Sequence, residues 1–169
     1  RARLAAAAAA RGRASDTGGA RMVYGESDRL PGLVVDRYGR VLVLQMFSAG
    51  MDRRRETIAR VLMGMWSPEA IYERDDVALR RLEDLPERTG LLAGALPEGA
   101  ETAGVAFEEN GLRLRADVVR GQKTGWYLDQ RSNRQRVALR CQGESVLDLF
   151  CHTGGFSVAA LAGGASEVI

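Results

Sequence analysis

The chain has 169 residues, of which 46% are apolar and 27% charged, and its formal net charge is +2 at pH 7. This composition predicts a packed soluble core, and so small a net charge gives no argument for nucleic-acid binding by itself. No run of roughly eighteen apolar residues predicts a membrane-spanning helix, and the alanine-rich start lacks the apolar region of a secretory signal. Cys141 and Cys151 have no paired spacing, so neither a disulfide framework nor a zinc site is predicted. We therefore expect a cytoplasmic protein without a bound metal.

The first residues, 1–13, are rich in alanine and carry arginine at both ends. Alanine is the best helix former, so the pattern predicts a short helix, which we expect to fray because it offers nothing large to anchor it. Residues 15–19, Ser-Asp-Thr-Gly-Gly, predict a linker. Residues 1–19 thus form a helix and linker ahead of the first domain.

Residues 33–37 and 41–47 are two apolar runs that flank a turn at Gly39, which predicts a β-hairpin. Both faces of the second run are apolar, so we expect it to be a central strand. Apolar residues at helical spacing predict a helix over 52–65, with Asp52 as its N-cap.

The next stretch predicts a short strand over 70–72, a short helix over 75–82 and mostly loop over 85–99. A second hairpin follows over 103–118, turning at Asn110-Gly111. Its second arm alternates strictly, which places Leu112, Leu114, Ala116 and Val118 inward. Residues 20–118 together predict a central α+β domain.

The third segment, 119–169, starts with a mixed polar and aromatic stretch and continues into a predicted helix over 129–140 with Asp129 as N-cap. Val146 to Phe150 is an apolar run interrupted only by Asp148, which predicts a buried strand. Gly154 and Gly155 follow, and residues 156–161 are apolar or small, as in a helix packed on a sheet. The start of such a helix favours an anionic or hydrogen-bond-accepting ligand group.

This strand, turn and helix match neither the glycine pattern of dinucleotide-binding loops nor that of P-loops. The acidic Asp148 six positions before Gly154 resembles motif I of class I S-adenosylmethionine-dependent methyltransferases instead. Residues 121–134, Gly-Gln-Lys-Thr-Gly-Trp-Tyr-Leu-Asp-Gln-Arg-Ser-Asn-Arg, stand eleven residues ahead of that motif. With residues 24–39 and 71–76 they resemble the RlmI-type methyltransferases, which modify a cytosine of large-subunit ribosomal RNA at C5.

The resemblance implies S-adenosyl-L-methionine as cofactor and large-subunit ribosomal RNA as substrate. It also implies a fold in which the α+β central domain is followed by the first strand and helix of a doubly wound, Rossmann-like α/β domain. The candidate cofactor-binding residues are Gln122, Lys123, Thr124, Tyr127, Gln130, Asp148, Phe150, Cys151, Thr153, Gly154 and Gly155.

Methylation at cytosine C5 requires a cysteine thiolate that adds to C6, near a flipped or single-stranded base. Cys141 precedes the first strand of the methyltransferase domain and Cys151 lies in the cofactor turn, so neither is expected to be the nucleophile, and His152 has no partner that would make it a base. Residues 167–169 predict the start of a second strand. We therefore expect an incomplete methyltransferase domain whose catalytic residues lie beyond Ile169.

Two alternatives remain open from the sequence. One is a non-catalytic RNA-binding or assembly module in which the central α+β unit is the working part. The other is a class I methyltransferase with a different RNA substrate, such as another ribosomal base or a transfer RNA.

Overall fold

The computed structural model describes residues 1–11 and 17–169, which form two compact units. Unit 1 comprises Arg1–Glu109 and Arg113–Trp126, and unit 2 comprises Asn110–Leu112 and Tyr127–Ile169. The division along the chain therefore falls after Trp126, later than the boundary expected at residue 118. Among the described residues, no helix is long and apolar enough to cross a membrane.

Unit 1 is built on a five-stranded sheet whose spatial order follows the chain order. Its strands are β1 (Gly19–Tyr24), β2 (Leu33–Tyr38), β3 (Val41–Met46), β4 (Ala70–Arg74) and β5 (Thr89–Gly94). β3 and β4 are parallel, and the other neighbours are antiparallel. Every residue of β3 is buried, which confirms the central position that its two apolar faces predict.

The helices of unit 1 are α1 (Ala2–Ala10), α2 (Ala49–Asp52), α3 (Arg55–Trp66) and α4 (Ala100–Ala103). α3 connects the parallel strands β3 and β4, and it buries Ile58 and Leu62 in the same core as the sheet. α3 confirms the helix predicted over 52–65, although it begins at Arg55. Asp52 is the last residue of α2, so the prediction that Asp52 caps this helix was wrong. The Asp52 carboxylate is instead an acceptor for side chains distant in sequence, described below.

α1 is anchored to unit 1, contrary to the expected fraying. Leu4 and Ala7 are buried in the core, and the Arg11 guanidinium donates to both carboxylate oxygens of Asp28 at 2.9 and 2.6 Å. A small apolar stripe is enough here because the rest of the core supplies the large partners. Of the predicted linker over 15–19, residues 15 and 16 lie outside the described residues, and Gly19 is the first residue of β1.

The loop predicted over 85–99 contains an edge strand, β5, which pairs antiparallel with β4. Its sequence, Thr-Gly-Leu-Leu-Ala-Gly, suggests a loop because glycine is depleted in strands, but hydrogen bonding to β4 outweighs that preference. The short helix predicted over 75–82 is a 3₁₀ helix, Ala78–Glu83.

The second hairpin consists of β6 (Val105–Glu109) and β7 (Leu112–Ala116). Asn110 and Gly111 form its turn with φ of +51° and +80°, the left-handed conformation that an Asn-Gly hairpin turn requires. Leu112 and Leu114 are half-buried and Ala116 and Val118 are buried, as the alternation predicts.

Unit 2 contains α5 (Arg131–Ala138), β8 (Ser145–Val146), α6 (Gly155–Ala162) and β9 (Glu167–Val168). β8 and β9 pair in parallel, with Ser145 opposite Glu167. The strand predicted over 146–150 is much shorter because a strand extends only as far as its hydrogen-bonded partner. Gln130, and not Asp129, is the N-cap residue of α5, since a 3₁₀ turn over Leu128–Gln130 precedes the helix.

Candidate cofactor site

The loop that joins β8 to α6 carries an unusual backbone. Phe150 and His152 have φ of +60° and +53°, a left-handed conformation that costs a residue with a side chain roughly 1–2 kcal/mol. Gly154 follows with φ of +75°, a value that glycine adopts without this cost. Strained backbone of this kind is concentrated at ligand sites, where the surrounding structure holds it in place.

Gly154 is the N-cap residue of α6, and the helix opens with Gly155 and Phe156. The first amides of a helix have no acceptor within the helix itself. Among the described residues, no acceptor outside the helix takes the amide protons of Gly155 and Phe156. Together with the positive end of the helix dipole, these two N–H groups form a place for a carboxylate or another acceptor.

Asp148 lies beside the same helix start and is half-buried. Its Oδ2 accepts two hydrogen bonds from Ser157, one from the backbone N–H at 3.1 Å and one from the hydroxyl at 2.6 Å. Its other oxygen, Oδ1, has no donor among the residues that the structure describes. A half-exposed carboxylate oxygen with open acceptor capacity thus lies close to the open amides of α6.

The remaining loop residues are solvent-exposed. Cys151, His152 and Thr153 are all exposed, and the Thr153 hydroxyl lies 3.2 Å from His152 Nδ1. The His152 ring packs edge-on against Tyr127, with ring centroids 5.4 Å apart. Phe150 is fully exposed, with a relative accessibility of 102%. The loop therefore offers an aromatic and polar surface next to Asp148.

α5 borders this loop through one buried arginine. Arg134 donates to the Tyr127 carbonyl at 2.9 Å and lies over the Phe156 ring, 5.8 Å from its centroid. On the preceding turn, the Asn133 side-chain amide donates to Gln130 Oε1 at 2.9 Å. Tyr127 and Gln130 thus belong to the same compact unit as the loop.

The candidates Gln122, Lys123 and Thr124 lie in unit 1. Gln122 and Lys123 are exposed, whereas Thr124 is completely buried. The Thr124 hydroxyl donates to Asp36 Oδ2 at 2.6 Å and accepts from the Tyr38 hydroxyl at 2.8 Å. Burial raises the pKa of Tyr38, so this phenol stays protonated and acts as the donor. Thr124 therefore connects buried groups of unit 1.

The structure thus brings eight of the eleven candidates together in unit 2: Tyr127, Gln130, Asp148, Phe150, Cys151, Thr153, Gly154 and Gly155. Sequence reasoning missed Ser157 and Arg134. Ser157 is the one polar side chain in an otherwise apolar helix, which was a usable signal. Arg134 gave no such signal, because it is one of several arginines on α5.

A second group of acidic residues lies in unit 1, where carboxylate oxygens of Asp52, Glu73 and Asp75 come within 4.8 Å of one another. Arg80 donates to Asp75 Oδ2 at 2.8 Å and to Asp52 Oδ1 at 2.7 Å. Arg88 also donates to Asp52, at 3.0 Å. The arginines balance much of the negative charge, so this group is an ion network within the core.

Comparison with known proteins shows which class of protein this chain resembles. Residues 86–169, which include the whole loop and α6, match the family model described as S-adenosylmethionine-dependent methyltransferase. Over 152 residues the chain is 49% identical to ribosomal RNA large subunit methyltransferase I of Aeromonas hydrophila, and over 151 residues it is 44% identical to that of Photobacterium profundum. Each alignment covers 89% of this chain and 37% of the relative. These matches confirm the RlmI-type resemblance, and the chain spans little more than a third of the length of these relatives.

Solved structures agree on the fold. A protein from Streptococcus mutans, proposed to be a SAM-dependent methyltransferase, superposes with a TM-score of 0.81 at 23% identity, over 99% of this chain and 42% of that one. Another proposed methyltransferase, in complex with SAH, gives a TM-score of 0.75 at 25% identity, over 92% of this chain and 38% of that one. The tRNA m1G37 methyltransferase of M. jannaschii gives a TM-score of 0.59 at 19% identity, over 83% of this chain and 40% of that one.

Proposed function

We propose that this chain contributes the cofactor-binding loop of an S-adenosylmethionine-dependent methyltransferase that acts on ribosomal RNA. The observation that carries the proposal is the open Asp148 Oδ1 beside the open amides of Gly155 and Phe156. The methionine part of the cofactor is a zwitterion, with one ammonium and one carboxylate group. The ammonium suits Asp148 Oδ1 as a charge-assisted donor, and the carboxylate suits the start of α6.

The aromatic residues of the loop suit the rest of the cofactor. Phe150 and Tyr127 can pack against the adenine ring or the sulfonium, which is attracted to an aromatic face. Gln130, Cys151 and Thr153 supply hydrogen-bonding groups around them. When bound, the cofactor supplies an electrophilic methyl group on sulfur, and the chain's own residues hold and orient it.

For Gln122 and Lys123, which are exposed residues of unit 1, the assignment as cofactor contacts remains a proposal that rests on the family resemblance alone. We leave Thr124 out of the site, since its hydroxyl is engaged with Asp36 and Tyr38 in the core. The complete catalytic domain in this proposal is a doubly wound sheet that starts with β8 and β9.

The proposed substrate is large-subunit ribosomal RNA, because the curated relatives at 44–49% identity are named for that substrate. Within it we propose C5 of a cytosine, and we propose the cytoplasm as the location, where ribosomal RNA is found. The nucleophilic cysteine lies outside these 169 residues in this proposal. Cys141 is buried, and Cys151 lies in the loop assigned to the cofactor.

The test is Gly154→Val in the full-length protein, with S-adenosylmethionine binding measured by calorimetry. A valine at φ +75° is strained and displaces the loop, so binding should be lost while the circular dichroism spectrum stays unchanged. Gly143→Val is the matched control, because Gly143 is also left-handed, with φ of +76°, and has open space around it. Normal cofactor binding by Gly154→Val would refute the site, and ribosomal RNA binding without any cofactor binding by the wild type would favour a non-catalytic module.

A further inference from the structure

We propose that Ser157 is a positioning residue that aims the Asp148 carboxylate at the ammonium group of the cofactor. This inference rests on the proposed function, because it assigns a role to Ser157 within that same site. In this role Ser157 does not contact the reacting atoms. It acts through Asp148.

Both hydrogen bonds from Ser157 end on the same oxygen. The backbone N–H and the hydroxyl reach Asp148 Oδ2 at 3.1 and 2.6 Å, which fixes the plane of the carboxylate. The backbone N–H is itself held by the first turn of α6. With Oδ2 occupied by this pair of donors, Oδ1 is left as the acceptor open to a ligand.

Of the two hydrogen bonds from Ser157, only the one from the hydroxyl can be removed by a substitution of the side chain. A serine inside a helix commonly bonds back to the carbonyl four residues earlier, but here the hydroxyl bonds to a side chain outside the helix. Substitution by alanine removes the 2.6 Å bond and keeps the backbone bond, so the carboxylate gains rotational freedom without losing its place at the helix start. The side chain is half-buried, which strengthens the hydrogen bond relative to one in open water.

A structural cap and a positioning residue differ in which part of the cofactor they affect. If the hydroxyl only stabilised α6, its loss would weaken every ligand of the loop equally. If it orients Asp148, only ligands with the ammonium group should be affected. Methylthioadenosine carries the adenosine and the sulfur but lacks the amino-acid group, so it separates these two roles.

The experiment compares wild type, Ser157→Ala and Ser157→Thr in the full-length protein by calorimetry with S-adenosylmethionine and with methylthioadenosine. For Ser157→Ala we expect the Kd for S-adenosylmethionine to rise about tenfold, as for the loss of one charge-assisted hydrogen bond, and the Kd for methylthioadenosine to stay the same. Ser157→Thr keeps a hydroxyl at this position, so its Kd for S-adenosylmethionine should equal that of the wild type. Asp148→Asn is the reference variant and should show the same selectivity.

Three outcomes would overturn the inference. In Ser157→Ala, these are an equal loss of affinity for both ligands or no loss of affinity for either. In a folded Ser157→Thr variant, it is weaker S-adenosylmethionine binding than in the wild type. If the wild type bound S-adenosylmethionine, any of these would refute the role of Ser157 alone. If the wild type bound neither ligand, the proposed function itself would be refuted, so the two failures are distinct.

Discussion

Arg80 offers the sharpest test of how unit 1 is held together. Its side chain is completely buried, and it donates to Asp75 Oδ2 at 2.8 Å, to Asp52 Oδ1 at 2.7 Å and to the Pro86 carbonyl at 2.9 Å, as well as to the Met46 carbonyl. Arg80→Met keeps much of the volume and removes all of these donors. Removal of one partner from a buried ion pair costs about 3–5 kcal/mol, because the other charge stays buried without compensation.

The matched control is the next residue in the chain. Arg81 pairs with Glu87 at 2.8 Å, but its side chain is 74% exposed, so Arg81→Met should cost less than about 1 kcal/mol. Unfolding in urea can be followed by tryptophan fluorescence, because Trp66 and Trp126 both lie in unit 1. Equal and small losses of unfolding free energy in Arg80→Met and Arg81→Met would refute the reasoning.

The cost of Arg80→Met should also depend on pH. Burial, assisted by a hydrogen bond with Glu73, raises the pKa of Asp75 to about 7 even with Arg80 present. Without Arg80 the pKa rises further, and a protonated Asp75 needs no counter-charge. We therefore expect a smaller destabilisation at pH 5 than at pH 8, and a penalty independent of pH would contradict the role given to this ion pair.

Three further outcomes are expected. In the unchanged chain, the folded state keeps a proton on Asp75 that the unfolded state releases above about pH 4. The free energy of unfolding, measured in urea, should therefore fall from about pH 5 to pH 8. Asp75→Asn should flatten this dependence on pH. Gly94→Ala should lower the free energy of unfolding by at least about 2 kcal/mol, because a Cβ there collides with the Glu69 carbonyl and φ is +74°; an unchanged urea midpoint would contradict this. The double substitution of Cys141 and Cys151 by Ser in the full-length protein should leave methyl transfer to ribosomal RNA intact, and complete loss in a folded, cofactor-binding variant would place the nucleophile in this chain.

The sequence by itself determined the features that depend on neighbouring residues. The Asn110-Gly111 turn was predictable because few residue pairs adopt two successive left-handed conformations. The central position of β3 followed from its two apolar faces, and α6 followed from a run of small and apolar residues after Gly154. The cofactor class was predictable for the same reason, since motif I is a local pattern around Asp148.

Only the tertiary structure decided the features whose partners are far away in the chain. Asp52 has the residue type of an N-cap, but its carboxylate accepts a hydrogen bond from the buried Arg80, 28 positions later in the chain. β5 forms because β4 offers it hydrogen bonds that its own glycine-rich sequence does not suggest. The orientation of Asp148 likewise depends on Ser157, nine positions away across a loop with left-handed residues. A local pattern shows which residue types are present, but the energy of a hydrogen bond or ion pair depends on where folding places its partner.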